Sequence, residues 1–275
     1  MVAVLYHLKK FFDIVPIFSH NQIKAKLEYR GALLIDSLFY ILGYGTQFII
    51  LYLITDKFDA IGGWRQYEVL LLYSMTILTY TIACTLLRGP SSQLPEKIKE
   101  GHFDQSLIKP IHPLAYEIAA SFSGYFLIHD ILGIIFVSYS LYMLHVEMNL
   151  IKFIFLVCTI LGGAMIQGGV LLLFAAVSFY ILGENPLTYG FFIALRQLSE
   201  SPVTIFPRII QYLVTFIIPF AFICFYPSQY LLGKNDFLMF HPIVQFLPLP
   251  IGVIVLSVGC MVWSHGINRY QSSGN

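Results

Sequence analysis

Long apolar runs, separated by short polar links, occupy most of this chain of 275 residues. Hydrophobic residues make up 57% of it and charged residues only 11%, whereas soluble domains carry roughly 25% charged residues. A helix needs about 20 predominantly apolar residues to cross the hydrocarbon core of a bilayer, and several of the runs reach that length. We therefore expect an all-α integral membrane protein whose residues 1–275 form one transmembrane domain, because little chain remains for a soluble one.

The apolar runs predict six transmembrane helices. Five are evident from composition and cover residues 31–55, 67–88, 114–142, 151–183 and 246–264. The remaining crossing lies within residues 185–244, where two interpretations stay open. Either residues 187–204 cross and residues 205–244 form a re-entrant hairpin, or residues 208–230 cross alone. The run GGAMIQGG, residues 162–169, would also let two helix backbones approach closely.

The Lys and Arg residues orient the chain, since cytoplasmic loops carry an excess of positive charge. If both termini and residues 88–113 lie in the cytosol, ten basic residues are cytosolic and four lie on the other side, with Arg196 and Arg208 unassigned. We therefore expect the N- and C-termini in the cytosol. Five of the ten fall among the apolar residues of 1–30, a pattern typical of an amphipathic helix in the membrane interface.

One polar segment, residues 89–113, interrupts the apolar pattern and contains KIKEGHFDQSLIKPIHP from Lys97 to Pro113. Its first part predicts a short helix that begins near Ser91 or Ser92, where a serine could cap it. Gly101 then suits the left-handed residue that ends such a helix. A solvated loop between two spans is the alternative interpretation.

Two motifs carry a family resemblance. The pattern EGxFDxxLxKPxxP, residues 100–113, resembles the cytosolic loop of type-2 ABC exporter permeases. The stretch SPVTIFPRIIQYLVTFIIPFAFICFYPSQYLLGK, residues 201–234, resembles the segment before the last span of the same family. The resemblance implies a subunit with six helices and re-entrant helices before the last one, which favours residues 187–204 as the fifth span. Arg196 would then lie inside the membrane, where it could face a subunit interface.

The resemblance also assigns roles within the polar segment. It implies that the segment is a coupling helix seated in a cleft of an ATPase, with Phe103 as the apolar anchor. The residues to which the coupling role would fall are Ile98, Gly101, Phe103, Asp104 and Leu107. Lys109 would lie on the exposed flank.

The sequence contains no recognisable motif for binding or hydrolysing ATP. No phosphate-binding loop of the form GxxxxGK[ST] occurs, nor do HExxH, CxxC or GxSxG. We therefore expect no catalytic residue, no metal site and no cofactor in this chain, with ATP bound by a partner subunit. The net charge of +1 gives no indication of nucleic-acid binding.

His129 and Asp130 form an ionisable pair in the middle of the third apolar run. Ionisable groups inside a membrane are functional candidates by default. They could contact a polar group of a cargo, carry protons in a secondary transporter or act as acid and base of a membrane enzyme. Structural partners on neighbouring helices would explain them equally well.

These features together predict the permease subunit of an ATP-driven exporter in a cell membrane, the bacterial plasma membrane in particular. Its expected partners are ABC ATPase subunits, a second permease subunit that is identical or related, and membrane lipids. The expected cargo is an amphipathic or lipid-like compound, an antibiotic or a peptide. A proton-coupled secondary transporter that uses His129 and Asp130 is the alternative.

Overall fold

The computed structural model describes residues 24, 28 and 30–271, except 59, 123–126, 182–185 and 239. The predicted interfacial helix at 1–30 therefore lies almost wholly outside the described residues. The described part contains helices and no β-strand, which confirms the all-α class. The α-helices of the described residues are α1 Arg30–Asp56, α2 Gln66–Arg88, α3 Leu94–Lys99, α4 Asp104–Leu107, α5 Pro113–Ser121, α6 Leu127–Met143, α7 Leu150–Ala176, α8 Pro186–Leu198, α9 Arg208–Tyr212, α10 Phe225–Leu232 and α11 Pro248–Ile267.

Four helical segments of the described chain are long and apolar enough to cross a membrane: Ser37–Asp56, Gln66–Lys99, Leu150–Phe179 and Pro248–Ile267. A fifth is added if the bent pair Arg208–Ile217 and Phe220–Leu232 counts as one span. Helices α6 and α8 are shorter than the roughly 20 residues of a full crossing. The total of six transmembrane helices stays a prediction.

The helix of the second predicted span is longer than the sequence predicted. Its helical path continues beyond Arg88 to Lys99 through a π-helical turn at Gly89–Gln93. The predicted serine cap is wrong, because the hydroxyl groups of Ser91 and Ser92 donate backwards to the carbonyls of Leu87 and Arg88. Backward bonding of this kind is found for serines within a helix rather than at its start, and Pro90 beside them supplies no N–H group.

Helix α2 is the centre of the bundle, and most of its side chains are buried. Glycines on the helices around it allow close packing. A Cβ atom added at Gly133 of α6 would lie 3.0 Å from Leu78, and one at Gly163 of α7 would lie 2.7 Å from Thr79. Larger residues at these positions would push α6 and α7 away from α2.

Helices α7 and α11 pack backbone against backbone. A Cβ atom at Gly162 would lie 2.5 Å from the Pro248 carbonyl, and one at Gly169 would lie 2.6 Å from the Val255 carbonyl. From the other side, Gly252 faces Gly162 and Gly259 faces Gly169. Both glycine pairs recur after seven residues, or about two helical turns. The close approach predicted for GGAMIQGG is confirmed, and α11 is its partner.

The chain between α8 and α11 folds back sharply. The helical segments Arg208–Ile217 and Phe220–Leu232 meet at an angle of 77°, at a break over Ile218 and Pro219. The second segment is deeply buried, and Phe220, Ile223 and Phe225 have no exposed surface. This geometry suits either a broken crossing or a re-entrant hairpin, so the hairpin over residues 205–244 stays a prediction.

Candidate functional site

The polar segment folds as two short helices at one end of the bundle. Helix α3 ends at Lys99, and Gly101 follows with a φ of 72°, the left-handed conformation that glycine adopts without a steric penalty. The Gly101 N–H donates to the carbonyl of Ile98 at 3.2 Å. The predicted role of Gly101 as the helix stop is confirmed, and the turn that it makes leads the chain into α4.

Phe103 lies inside this chain rather than on its surface. Its side chain has no exposed area, and its ring centroid lies 5.4 Å from Phe179, 6.0 Å from Trp263 and 5.1 Å from Tyr270. We call these four residues the aromatic cluster. A ring enclosed by its own chain leaves no surface for a partner, so this geometry does not support the expected anchoring of Phe103 in an ATPase cleft, which stays a prediction.

Ile98, another predicted coupling residue, is also buried, with 1% of its surface exposed. It packs with Phe103 against the ends of α7 and α11, so it cannot contact a partner directly either. Asp104 is half-buried. Of the five predicted residues, only Leu107 is clearly exposed, at 39%.

The apolar surface of the segment is formed by Leu107 and Ile108. Ile108 is 79% exposed and was not predicted from the sequence, although two adjacent apolar residues in a polar segment could have indicated it. Lys109 follows on the exposed flank, as expected, with its Nζ 5.8 Å from the Tyr116 ring centroid. The structure thus separates the buried part of the segment from the part that a partner can reach.

Glu117 joins the two short helices of the segment to its own helix, α5. Its side chain is buried, yet its Oε2 lies 2.6 Å from the Lys97 Nζ and its Oε1 accepts a hydrogen bond from Ser106 at 2.5 Å. We call Lys97, Ser106 and Glu117 the polar clasp. A notch of about 240 Å³ opens beside it. Lys97 and Ser106 are 20 and 11 residues away from Glu117 in the chain.

The structure directs His129 and Asp130 towards different helices. The His129 ring packs edge-on against Tyr40 of α1, with ring centroids 4.3 Å apart. Asp130 accepts a hydrogen bond from Thr85 of α2 at 3.0 Å. The contacts with Tyr40 and Thr85 fit a structural role, and they do not bring the two side chains together at one site.

A buried charge pair lies deeper in the bundle. The Arg196 Nη1 is 3.0 Å from the Glu200 Oε1, although the N–H direction misses that oxygen and no hydrogen bond forms between these atoms. The guanidinium also lies over the Tyr80 ring, 4.7 Å from its centroid, and Gln47 of α1 donates to the Glu200 Oε2 at 2.9 Å. The expectation that Arg196 faces a subunit interface is wrong, because 94% of its surface is covered by its own chain.

Comparison with known proteins gives one result. Residues 41–274 match a family model described as ABC-2 family transporter protein, and the match includes the polar segment, the bent pair and the last helix. No curated protein and no solved structure matches the chain.

Proposed function

Because this chain belongs to the ABC-2 family of transporter proteins, we propose that it is the permease subunit of an ATP-driven exporter. A separate ABC ATPase binds and hydrolyses ATP, and the permease carries the cargo outward across the membrane. The lack of a phosphate-binding loop in the sequence supports this division of labour. An amphipathic or lipid-like compound, an antibiotic or a peptide is the proposed cargo.

One observation carries the proposal: a polar segment held firmly at one end of the bundle presents two exposed apolar side chains, Leu107 and Ile108. Exposed apolar groups at the end of a membrane protein, beyond the lipid-covered helices, are a docking surface for a protein partner. Burial of each side chain is worth about 1.5–3 kcal/mol. In this proposal the ATPase covers Leu107 and Ile108, and the positive charges of the segment support a cytosolic position for it.

The assembly is proposed to contain a second permease subunit in the bacterial plasma membrane. Helix α1 supports this part of the proposal, because it exposes a long apolar face within the single chain. The members of this face include Leu34, Leu38, Phe39, Leu42, Ile49, Ile50 and Leu53. Lipid and a second subunit together would cover such a face.

The test is purification of the tagged chain with candidate ABC ATPases of the same cell, followed by reconstitution in nanodiscs. We expect one ABC ATPase, identified by mass spectrometry, to remain bound and to hydrolyse ATP in a vanadate-sensitive manner. The proposal fails if the folded chain binds none of them. Cargo movement driven by a proton gradient in vesicles without ATP would favour the secondary transporter instead.

A further inference from the structure

Two sets of contacts join the polar segment to the transmembrane helices. The first is the aromatic cluster, in which Phe103 packs on Phe179, directly after α7, and on Trp263 of α11. The Trp263 indole N–H also donates to the Pro90 carbonyl at 3.0 Å. The start and the middle of the segment are therefore both attached to the same end of α7 and α11.

The second set is the polar clasp. Glu117 has no exposed surface, so its carboxylate depends on Lys97 of α3 and Ser106 of α4 for compensation. A buried charge that loses a partner is strongly destabilised. The clasp therefore holds both short helices of the segment to α5 and resists any displacement between them.

If one end of the α7–α11 pair is displaced, the two helices are expected to move together as a rigid unit. Their backbones touch at Gly162 and Gly252, and again two turns further at Gly169 and Gly259. Closely packed backbones resist sliding, because protein interiors leave no space to accommodate it. A displacement applied to Phe179 and Trp263 would thus reach the far ends of both helices.

We propose that Phe103 and Glu117 are positioning residues that transmit movement of a docked ATPase into the membrane: Phe103 to the α7–α11 pair, and Glu117 to α5. The inference rests on the proposed function, because it requires an ATPase docked on the polar segment. Neither residue contacts the ATPase, since both are fully buried in this chain. Docking belongs to Leu107 and Ile108, so docking and transmission reside in separate residues.

This separation is measurable in the complex of the chain with its ATPase in nanodiscs. Vanadate and ATP trap the ATPase in its closed state, and hydrogen–deuterium exchange reports local opening of the backbone. The peptide covering residues 143–150 joins α6 to α7 at the end of the bundle away from the polar segment. In the wild type, trapping should change the exchange of this peptide.

The informative variants are Phe103→Ala and Glu117→Gln, with Lys109→Ala as the exposed control. We expect the first two to bind the ATPase within about twofold of wild type, while the exchange change at 143–150 is lost. Lys109→Ala should retain both properties. Phe103→Leu, which keeps apolar volume in the cluster, protects the test against a folding failure, and it should recover part of the exchange change.

A charge swap tests the clasp itself. Lys97→Glu combined with Glu117→Lys should restore the exchange change that either single substitution removes, because the Ser106 hydroxyl can donate or accept a hydrogen bond. The inference is overturned if Phe103→Ala and Glu117→Gln bind the ATPase normally and still show the wild-type exchange change at residues 143–150. It is also overturned if folded forms of both lose the ATPase, since they would then be docking residues. A wild-type chain that binds no ATPase would instead refute the proposed function.

Discussion

Phe103 and Ile108 are five residues apart, yet one has no exposed surface and the other is 79% exposed. Gly101 decides the difference, because its left-handed conformation ends α3 and directs Phe103 towards the end of the bundle. Burial in the aromatic cluster leaves the Phe103 ring no free surface, whereas Ile108 is free to contact the ATPase that we propose. Single residues of the segment are therefore expected to affect different steps.

Replacement of Ile108 by Ala should weaken ATPase association. A fully buried Ile is worth about 1.5–3 kcal/mol, and each 1.4 kcal/mol changes a dissociation constant about tenfold. We therefore expect a loss of about tenfold to a hundredfold in a titration of purified ATPase with the permease in nanodiscs. Lys109→Ala is the neighbouring control and should bind as the wild type does. Equal losses in both variants would show that Ile108 is not a specific contact.

Replacement of Glu200 by Ala should destabilise the chain. Arg196 would keep its charge in a site where only 6% of its surface is exposed, and removal of one partner of a buried ion pair costs about 3–5 kcal/mol. The melting temperature in detergent should therefore fall well below that of wild type. Lys57→Ala, at an exposed position, is the matched control. An unchanged melting temperature for Glu200→Ala would mean that Arg196 is compensated by other groups.

At the scale of elements, the close pairing of α7 with α11 depends on four glycines. At each of them an added Cβ atom would overlap backbone atoms of the facing helix. The glycines of α1 have no such constraint: a Cβ atom at Gly43, for example, would meet nothing within 4 Å. Helices α7 and α11 therefore form a tight unit, whereas α1 keeps an open face.

The substitution Gly252→Ala should separate α7 from α11, because the new methyl group would overlap the Gly162 carbonyl. Overpacking of this kind costs about 1–3 kcal/mol, which a lower melting temperature in detergent would reveal. Gly43→Ala makes the same chemical change at an open position and should leave the melting temperature near that of wild type. Similar effects in the two variants would contradict the backbone contact.

At the scale of the whole molecule, an ion pair closes each end of the bundle. Lys97 and Glu117 join the polar segment to α5 at one end. At the other end Lys234, after α10, lies 2.5 Å from Glu68 of α2 and over the Trp64 ring. These contacts hold connecting segments to the helices at both ends of the described part of the bundle.

The proposed orientation is testable with cysteines introduced at exposed positions of the two ends. Lys57→Cys and Glu147→Cys, both exposed, should react with a membrane-impermeant maleimide in intact cells. Lys109→Cys should react only after the cells are opened. The unsubstituted chain reports the background of its four native cysteines. Labelling of Lys109→Cys from outside would reverse the orientation and remove the docking surface from the cytosol.

The sequence by itself determined the membrane class, the helical class, the family and the stop at Gly101. These follow from local properties: apolar runs of membrane-crossing length, a motif read along the chain, and a glycine where the backbone turns left-handed. The glycine run of α7 also predicted close packing correctly, because small residues act the same way whatever helix faces them.

Only the tertiary structure decided which side chains of the polar segment are buried and which are exposed. Phe103 and Ile108 are both apolar, and their local sequence does not reveal that Phe179 and Trp263 enclose one of them. Lys97, which pairs with Glu117, is 20 residues away from it in the chain, and the glycine that faces Gly162 is on the last helix. Burial and pairing of this kind arise from contacts between distant elements, and neither composition nor periodicity records such contacts.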